Sequence, residues 1–160
     1  LVREDQDKAQ EYIQELSRVL RYTLQGNDSK SVTLRDEMEF VSAYIFLLKM
    51  RFEDNLSFDI RIDKQYDDHR LPPMAVQMLI ENAVKHNEIS DRRPLSIRVY
   101  TEGEELVVTN PVQPKLTATA GTGVGLANLA KRYHLLYKCE IQITENKYFT
   151  VRIPLIPNAL

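Results

Sequence analysis

One change in hydrophobic spacing constrains the fold of this chain more than any other feature. Before Asp54, apolar residues recur at steps of three and four, which is the spacing of the buried face of a helix. After Asp54, apolar and polar residues alternate, as in a half-buried strand, and the apolar ones are Leu56, Phe58, Ile60 and Ile62. Helices and strands therefore share one core, which predicts an α+β fold class.

Three helices are predicted before the first hairpin. A narrow apolar stripe within residues 9–23 suits a helix that pairs with another helix. The second helix begins at Thr33, because Thr33 and Asp36 match a capping box. The third helix follows Pro72-Pro73, since proline is tolerated in the first turn of a helix.

Two hairpins and one more helix are predicted after these. Four strands are expected in two pairs, Leu95–Thr101 with Glu105–Asn110 and Glu140–Thr144 with Tyr148–Pro154. Between the pairs, a segment rich in Gly, Thr and Ala leads into a helix over Leu126–Leu136. This order predicts a two-layer α/β sandwich with a mixed, mostly antiparallel sheet, preceded by one long helix.

Charge and cysteine content exclude several classes of protein. The 160 residues carry 21 basic and 23 acidic side chains, so the basic excess of a nucleic-acid-binding chain is absent. No apolar run approaches the roughly 20 residues that a membrane span needs. The single cysteine, Cys139, excludes an internal disulfide and, with only three histidines, a cysteine-rich zinc site. Because the chain begins without Met or a signal peptide, we expect it to be a piece of a longer protein.

The polar half of the third helix carries groups suited to phosphate chemistry. At 100° per residue, apolar side chains fill one half of the helical circle. The other half holds Gln77, Glu81, Asn82, Lys85 and His86. Glu81 lies one turn from Lys85, so these side chains should form a compact patch with a carboxylate, an amide, an ammonium and an imidazole. A solvated helix face with one ion pair would show the same pattern.

Three glycines at every second position precede the fourth helix. Gly121, Gly123 and Gly125 free the backbone to approach a ligand, and the N–H groups of a helix N-terminus bind anions. The spacing does not match a dinucleotide fingerprint, because Leu126 stands where that fingerprint requires its last glycine. The segment alone is equally typical of a flexible connector.

In combination, these segments resemble the GHKL ATPases, which include histidine kinases, DNA gyrase and heat-shock chaperone ATPases. Residues 81–86 (Glu-Asn-Ala-Val-Lys-His) resemble the N box of that family, and Gly121–Leu126 resembles its second glycine box. Other stretches resemble the LytS/YehU-type sensor histidine kinases, namely residues 16–22, 32–37 and 125–129. The resemblance covers residues 12–155.

This resemblance implies the ATP-binding catalytic domain of a two-component sensor histidine kinase. The domain would transfer the γ-phosphoryl group of ATP to a histidine upstream of this chain, for relay to a response regulator. Asn82 would hold Mg²⁺, while Glu81, Lys85 and His86 would be catalytic, with Glu81 as the base that acts on the acceptor imidazole. The ATP-binding residues would be Asn82, Lys85, His86, Asn110, Gly121, Gly123, Val124, Gly125 and Leu126.

The chain departs from the family pattern at three places. No histidine precedes His69, so the helix that carries the phosphoacceptor is expected to lie outside the chain. Residues 1–27 would then be the C-terminal helix of the dimerisation region, and 28–160 the catalytic domain. Asn110-Pro111 stands where the family has an adenine-recognising Asp and often a glycine, and Met78 stands where many histidine kinases have Asn.

The same resemblance implies partners, and two alternatives remain open. The expected partners are the upstream dimerisation helix, a second protomer and a response regulator receiver domain, with no nucleic acid. The expected place is the cytoplasmic side of a bacterial inner membrane, reached through upstream segments. One alternative is a non-catalytic GHKL-fold interaction module with a degenerate nucleotide pocket, which Asn110-Pro111 favours. The other is an ATP-hydrolysing GHKL machine, which the helical segments before Asp54 fit less well.

Overall fold

The structure is a computed structural model that describes residue 16 and residues 30–115 and 124–158. Most of the first predicted helix, together with Gly121 and Gly123, lies outside these residues. Leu16 is helical and packs against Phe40 and Leu47. The predicted boundary between residues 27 and 28 also lies outside the described residues, so it stays a prediction.

The three helices described in full are α1 (Leu34–Phe52), α2 (Ala75–His86) and α3 (Val124–Tyr137). They are the second, third and fourth helices predicted from the sequence. The cap predicted for α1 is confirmed, because Thr33 Oγ1 accepts a hydrogen bond from the Asp36 N–H at 3.2 Å. Helix α2 begins two residues beyond Pro73, because Met74 adopts a left-handed φ of 69° that a helix does not contain.

Five of the strands are β2 (Leu56–Arg61), β4 (Leu95–Glu102), β5 (Glu105–Pro111), β6 (Gln142–Glu145) and β7 (Tyr148–Pro154). They form one sheet in the order β2-β4-β5-β7-β6. Strand β2 runs parallel to β4, with Leu56 opposite Leu95, and the other pairs are antiparallel. This confirms the mixed, mostly antiparallel sheet.

A second, two-stranded sheet was not predicted. It joins β1 (Val32–Thr33) to β3 (Arg70–Leu71), and Leu34 N–H donates to the His69 carbonyl beside it at 2.8 Å. Strands of two residues are too short to show alternation, so the sequence carries no signal for them.

The core lies between the helices and one face of the five-stranded sheet. In β4, Leu95, Ile97 and Val99 are buried, while Ser96 and Arg98 between them are exposed. The helices therefore cover one face only, and the predicted two-layer sandwich is confirmed. The largest fully buried side chains include Tyr133, Leu34, Leu47, Leu56, Leu71, Ile80, Ile97 and Ile153. None of the helices described here has the length and hydropathy of a membrane span.

Candidate functional site

Helix α2 divides its polar residues between two clefts. Glu81 and Lys85 line a cleft of about 620 Å³ against α1, named here the α1–α2 cleft. Asn82 and His86 line a second cleft of about 300 Å³ at the end of β5, named here the β5 cleft. The single compact patch predicted from helical spacing is thus two surfaces. Residues of α2 line both clefts.

The β5 cleft is narrow and largely apolar. Asn82 and His86 contribute an amide and an imidazole on the α2 side, and Leu126 brings the start of α3 to the same space. Its lining residues are Asn82, Ala83, His86, Asn87, Val112, Pro114, Leu126, Glu145 and Phe149. Apolar walls with a few polar groups are typical of a small-molecule site.

The α1–α2 cleft is wider and charged. Its charged lining residues are Arg51, Glu81, Lys85, Glu88 and Lys115. The Arg51 guanidinium lies 4.7 Å from the centroid of the Phe52 ring, a cation–π contact that holds it over the cleft wall. The positive charges outnumber the carboxylates, so this cleft favours a ligand group with negative charge.

The buried side chain of Asn87 fixes the C-terminal end of α2 between the two clefts. Its Nδ2 donates to the Ala83 carbonyl at 2.8 Å, and its Oδ1 accepts the Gln113 N–H at 2.7 Å. The Gln113 carbonyl in turn accepts the Glu88 N–H at 2.6 Å. Sequence reasoning did not single out Asn87. Its backbone is extended, unlike the left-handed Asn that often ends a helix, and its partner Gln113 is distant in sequence.

The predicted adenine-recognising residue lies inside the sheet. Asn110 is buried in β5, opposite Phe149 of β7, and its Nδ2 donates to the Pro111 carbonyl at 2.7 Å. Asn110 does not line the β5 cleft as the described residues form it, but its strand neighbour Phe149 does. The predicted role of Asn110 therefore stays a prediction.

The start of α3 lies against α2. A Cβ built on Gly125 would lie 3.5 Å from Met78 Cγ and Sδ, an ordinary contact distance. The first turn of α3 contains no acidic residue, so nothing in that turn offsets the partial positive charge of the helix N-terminus. Val124 is exposed beside it. Gly125 of the predicted glycine box therefore lies beside Met78, which is one helical turn before Asn82 on α2.

The placement of Gln77 on the solvated half of α2 is wrong. Gln77 is buried, and its Oε1 has no hydrogen-bond partner among the described residues. Helix α2 contacts both α1 and α3, so more of its circumference is covered than its apolar half. The helical wheel gives the angle of a side chain but not which neighbour will cover it.

A buried carboxylate at the start of α2 was also missed. Glu37 of α1 is 2% exposed, and its Oε1 and Oε2 accept the N–H groups of Met74 and Val76, each at 3.0 Å. Burial raises the pKa of Glu37 to about 7, while these hydrogen bonds and the charge of Arg132 act in the opposite direction. In the sequence, Glu37 is typical of an acidic residue in the first turn of a helix, which is usually solvated.

The oxygen donors of the β5 cleft suit Mg²⁺ that is bound chiefly through phosphate. No group of three or more His, Cys, Asp or Glu side chains could hold a metal ion in the part of the chain that the structure describes. The Asn82 amide supplies one hard oxygen at the cleft. Mg²⁺ commonly keeps several waters and uses one or two protein oxygens plus substrate phosphates, and this donor set fits that pattern.

Comparisons with known proteins identify the family. The family model described as "Histidine kinase" matches residues 1–56. The sensor protein LytS of Streptococcus agalactiae is 32% identical over 155 residues, covering 86% of this chain and 26% of LytS. The sensor histidine kinase BtsS of Escherichia coli K12 is 30% identical over 165 residues, covering 96% of this chain and 29% of BtsS. The chain belongs to the LytS-type sensor histidine kinases.

Solved structures agree with this family. The catalytic domain of histidine kinase ThkA, in a nucleotide-free form, matches with a TM-score of 0.53 at 19% identity, covering 79% of this chain and 97% of that domain. The cytoplasmic segment of histidine kinase QseC matches with a TM-score of 0.56 at 10% identity, covering 79% of this chain and 76% of that segment. At these identities the likeness shows the fold, which is that of a histidine kinase catalytic domain.

The sequence predictions of family, fold and functional class are confirmed at this level. This LytS-type chain has the fold of a histidine kinase catalytic domain. It spans about a quarter of the length of the curated relatives it matches. The roles of individual residues stay predictions, because no comparison tests them.

Proposed function

We propose that this domain binds ATP with its adenosine part in the β5 cleft and transfers the γ-phosphoryl group to a histidine imidazole in the α1–α2 cleft. The observation that carries the proposal is the division of α2. Asn82 and His86 face the narrow, apolar cleft, and Glu81 and Lys85 face the wide, charged one. One helix thus supplies groups to both reactants.

The adenine base suits the β5 cleft because its walls are apolar and aromatic. Phe149 and Val112 offer surfaces for a flat ring, and His86 offers a polar edge. We keep Asn110 as the residue whose side-chain oxygen accepts a proton of the adenine amino group. In the structure its amide donates to the Pro111 carbonyl and does not line the cleft, so this contact requires the side chain to rotate.

The phosphates suit the space between α2 and the start of α3. Leu126 lies in the β5 cleft and Gly125 lies against Met78, so a chain of phosphates leaving the cleft meets the N–H groups at the α3 N-terminus. Gly121 and Gly123 extend the same proposed cradle along the sequence. When bound, Mg²⁺ held by Asn82 neutralises part of the phosphate charge.

The transfer step needs a base and a cation beside the acceptor. We assign the base to Glu81 and the cation to Lys85. The acceptor imidazole forms a bond from one ring nitrogen to the γ-phosphorus while the bond to the bridging oxygen breaks, and ADP leaves. Glu81 takes the proton from the other ring nitrogen, and Lys85 stabilises negative charge on the transferred group.

The remaining proposals concern the longer protein. We assign the acceptor histidine to a dimerisation helix upstream of this chain, contributed within a homodimer. The phosphoryl group then passes to the receiver domain of a response regulator. We propose that the domain lies on the cytoplasmic side of a bacterial inner membrane, and that upstream segments provide the anchor.

Titration calorimetry with a non-hydrolysable ATP analogue tests nucleotide binding. We expect binding that strengthens with Mg²⁺ and weakens about tenfold in Asn82→Ala. Asn158→Ala, the same change at an exposed position near the chain end, is the matched control and should bind like the wild type. An affinity for the analogue that changes neither on adding Mg²⁺ nor in Asn82→Ala would contradict the assignment of Asn82 as a metal ligand.

A second experiment tests phosphoryl transfer. The chain is mixed with radiolabelled ATP, Mg²⁺ and a separately expressed dimerisation region of a LytS-type kinase that carries the acceptor histidine. We expect label on that histidine, and loss of label without loss of ATP binding in Glu81→Ala. Unchanged transfer in Glu81→Ala would remove Glu81 from the mechanism.

One observation favours a non-catalytic interaction module instead. The Asn110 amide is engaged by the Pro111 carbonyl, and Pro111 has no N–H to offer a nucleotide. Absence of analogue binding up to millimolar concentration would favour this second function.

A further inference from the structure

The N-terminal end of α2 lacks a side-chain cap from its own sequence, although the Ala75 N–H donates to the Pro72 carbonyl at 3.3 Å. The first N–H groups of a helix have no partner within the helix, and no side chain adjoining α2 caps them. Two prolines, Pro72 and Pro73, precede the helix and carry no N–H, and Met74 is held in the left-handed region. This segment, Pro72–Met74, is named here the proline turn.

A residue distant in sequence supplies the cap. Glu37 reaches from α1, and each of its carboxylate oxygens accepts one backbone N–H, from Met74 on one side and from Val76 on the other. Each of these two N–H groups thereby has an acceptor that α2 itself does not supply. The carboxylate is buried, so this arrangement fixes α1 and α2 relative to each other.

The opposite side of the proline turn is bound to α3. Arg132 Nη1 donates to the Pro73 carbonyl at 3.2 Å. The charge of Arg132 also acts on Glu37, lowering its pKa against the effect of burial. The proline turn is therefore held from two different helices: its Met74 N–H donates to Glu37 of α1, and its Pro73 carbonyl accepts from Arg132 of α3.

We propose that Glu37 and Arg132 are positioning residues, which hold α2 and α3 in the relation that nucleotide binding requires. The inference rests on the proposed function, because it concerns the same phosphate cradle. Asn82 lies on α2, and Gly125 is the second residue of α3. The two helices meet where Gly125 lies against Met78 of α2. Arg132 lies two turns along α3 from that contact, so a change at the proline turn tilts α3 and moves its N-terminus relative to Asn82.

The test compares nucleotide affinity in folded variants with matched controls. Glu37→Gln keeps the shape of the side chain and removes its charge, and Glu39→Gln makes the same change at an exposed position of α1. Arg132→Gln is paired with Lys131→Gln, at the exposed neighbouring position of α3. Calorimetry with the non-hydrolysable ATP analogue and Mg²⁺ is run at a temperature where circular dichroism shows every sample folded.

We expect the analogue to bind about five- to tenfold more weakly to Glu37→Gln and to Arg132→Gln, and to bind both controls like the wild type. The double variant should lose less affinity than the sum of the single losses, because the two residues act on one turn. A purely structural role would lower the unfolding midpoint and leave the dissociation constant of the folded protein unchanged.

A second measurement covers the case in which Glu37→Gln does not fold. If the contacts of Glu37 favour nucleotide binding, then bound nucleotide must by linkage favour those contacts. Binding of the analogue should therefore slow hydrogen exchange at the Met74 and Val76 amides of the wild type, which donate to Glu37. Exchange unchanged by saturating analogue would overturn the inference. So would wild-type affinity in folded Arg132→Gln.

These outcomes separate the inference from the proposed function. If the wild type does not bind the analogue, the proposed function fails and the inference fails with it. If the wild type and both charge variants bind equally well, the inference alone fails and the nucleotide site stands.

Discussion

The two ends of α2 are fixed in different ways. At its C-terminal end, Asn87 uses a neutral amide to join Ala83, one turn back, to Gln113. At its N-terminal end, a buried carboxylate from α1 accepts two N–H groups, and an arginine from α3 binds the preceding carbonyl. One end therefore depends on a neutral amide and the other on an ionisable carboxyl group and an arginine, so pH and substitution should affect the two ends differently.

The largest expected effect is loss of the charged end. Glu37→Ala leaves two N–H groups without an acceptor at a buried site, so we expect the free energy of unfolding at pH 6 to fall by about 4 kcal/mol. Urea denaturation measures it. Glu39→Ala, at an exposed position of the same helix, should change the value by less than about 0.5 kcal/mol. Similar losses in the two variants would show that the buried cap contributes nothing specific.

The pH dependence of stability is the next largest effect. The pKa of Glu37 is raised from 4.5 to about 7, so the unfolded chain releases its proton at lower pH than the folded chain does. The contribution of Glu37 to stability is therefore complete below pH 4.5 and is lost as pH rises through 7. Relative to Glu37→Gln, the wild type should lose roughly 3 kcal/mol between pH 4.5 and pH 8. Parallel pH profiles of the two proteins would refute this assignment.

The neutral end should give a smaller loss that does not vary with pH. Asn87→Ala leaves the Gln113 N–H and the Ala83 carbonyl without their side-chain partner, and we expect a cost of about 2 kcal/mol at both pH 5 and pH 8. Thermal unfolding at the two pH values measures it. A cost that changes with pH would mean that the two ends are not independent.

The smallest effect is expected at an exposed ion pair near the charged end. Arg35, two residues before Glu37, lies 3.0 Å from the Asp68 carboxylate, and both side chains are well exposed. Arg35→Ala should therefore cost under about 1 kcal/mol, and added salt should remove most of that cost. If Arg35→Ala lowered the free energy of unfolding as much as Glu37→Ala, burial would not explain the different contributions of the two contacts to stability.

Features that depend on neighbouring residues in the sequence were predicted best. The Thr33 cap and the alternation that begins at Leu56 are local patterns, and each predicted an element that the structure contains, helix α1 and strand β2. Local spacing also identified Glu81 and Asn82 as neighbours on one helix. It did not predict that they face different clefts, because that depends on α1 packing beside α2.

Long-range contacts account for what was missed. Glu37 has the local appearance of a solvated first-turn acid, and only the fold brings it to Met74 and Val76. Gln77 has the angle of a solvated residue, and only the neighbouring helices bury it. The family resemblance predicted the fold correctly, yet a resemblance of short motifs carries no information on the contacts between them.

The parallel pairing of β2 with β4 has a consequence for how the domain is made on the ribosome. Leu56 lies opposite Leu95, and the whole of α2 lies within the loop that this pairing closes. Pairings between residues far apart in sequence form late and slowly. A nascent chain that has emerged only as far as residue 94 already contains Glu81, Asn82, Lys85 and His86, but it lacks the central strands that complete the sheet beneath them. The residues proposed to bind nucleotide therefore reach their final surroundings only after β4 and β5 have been synthesised.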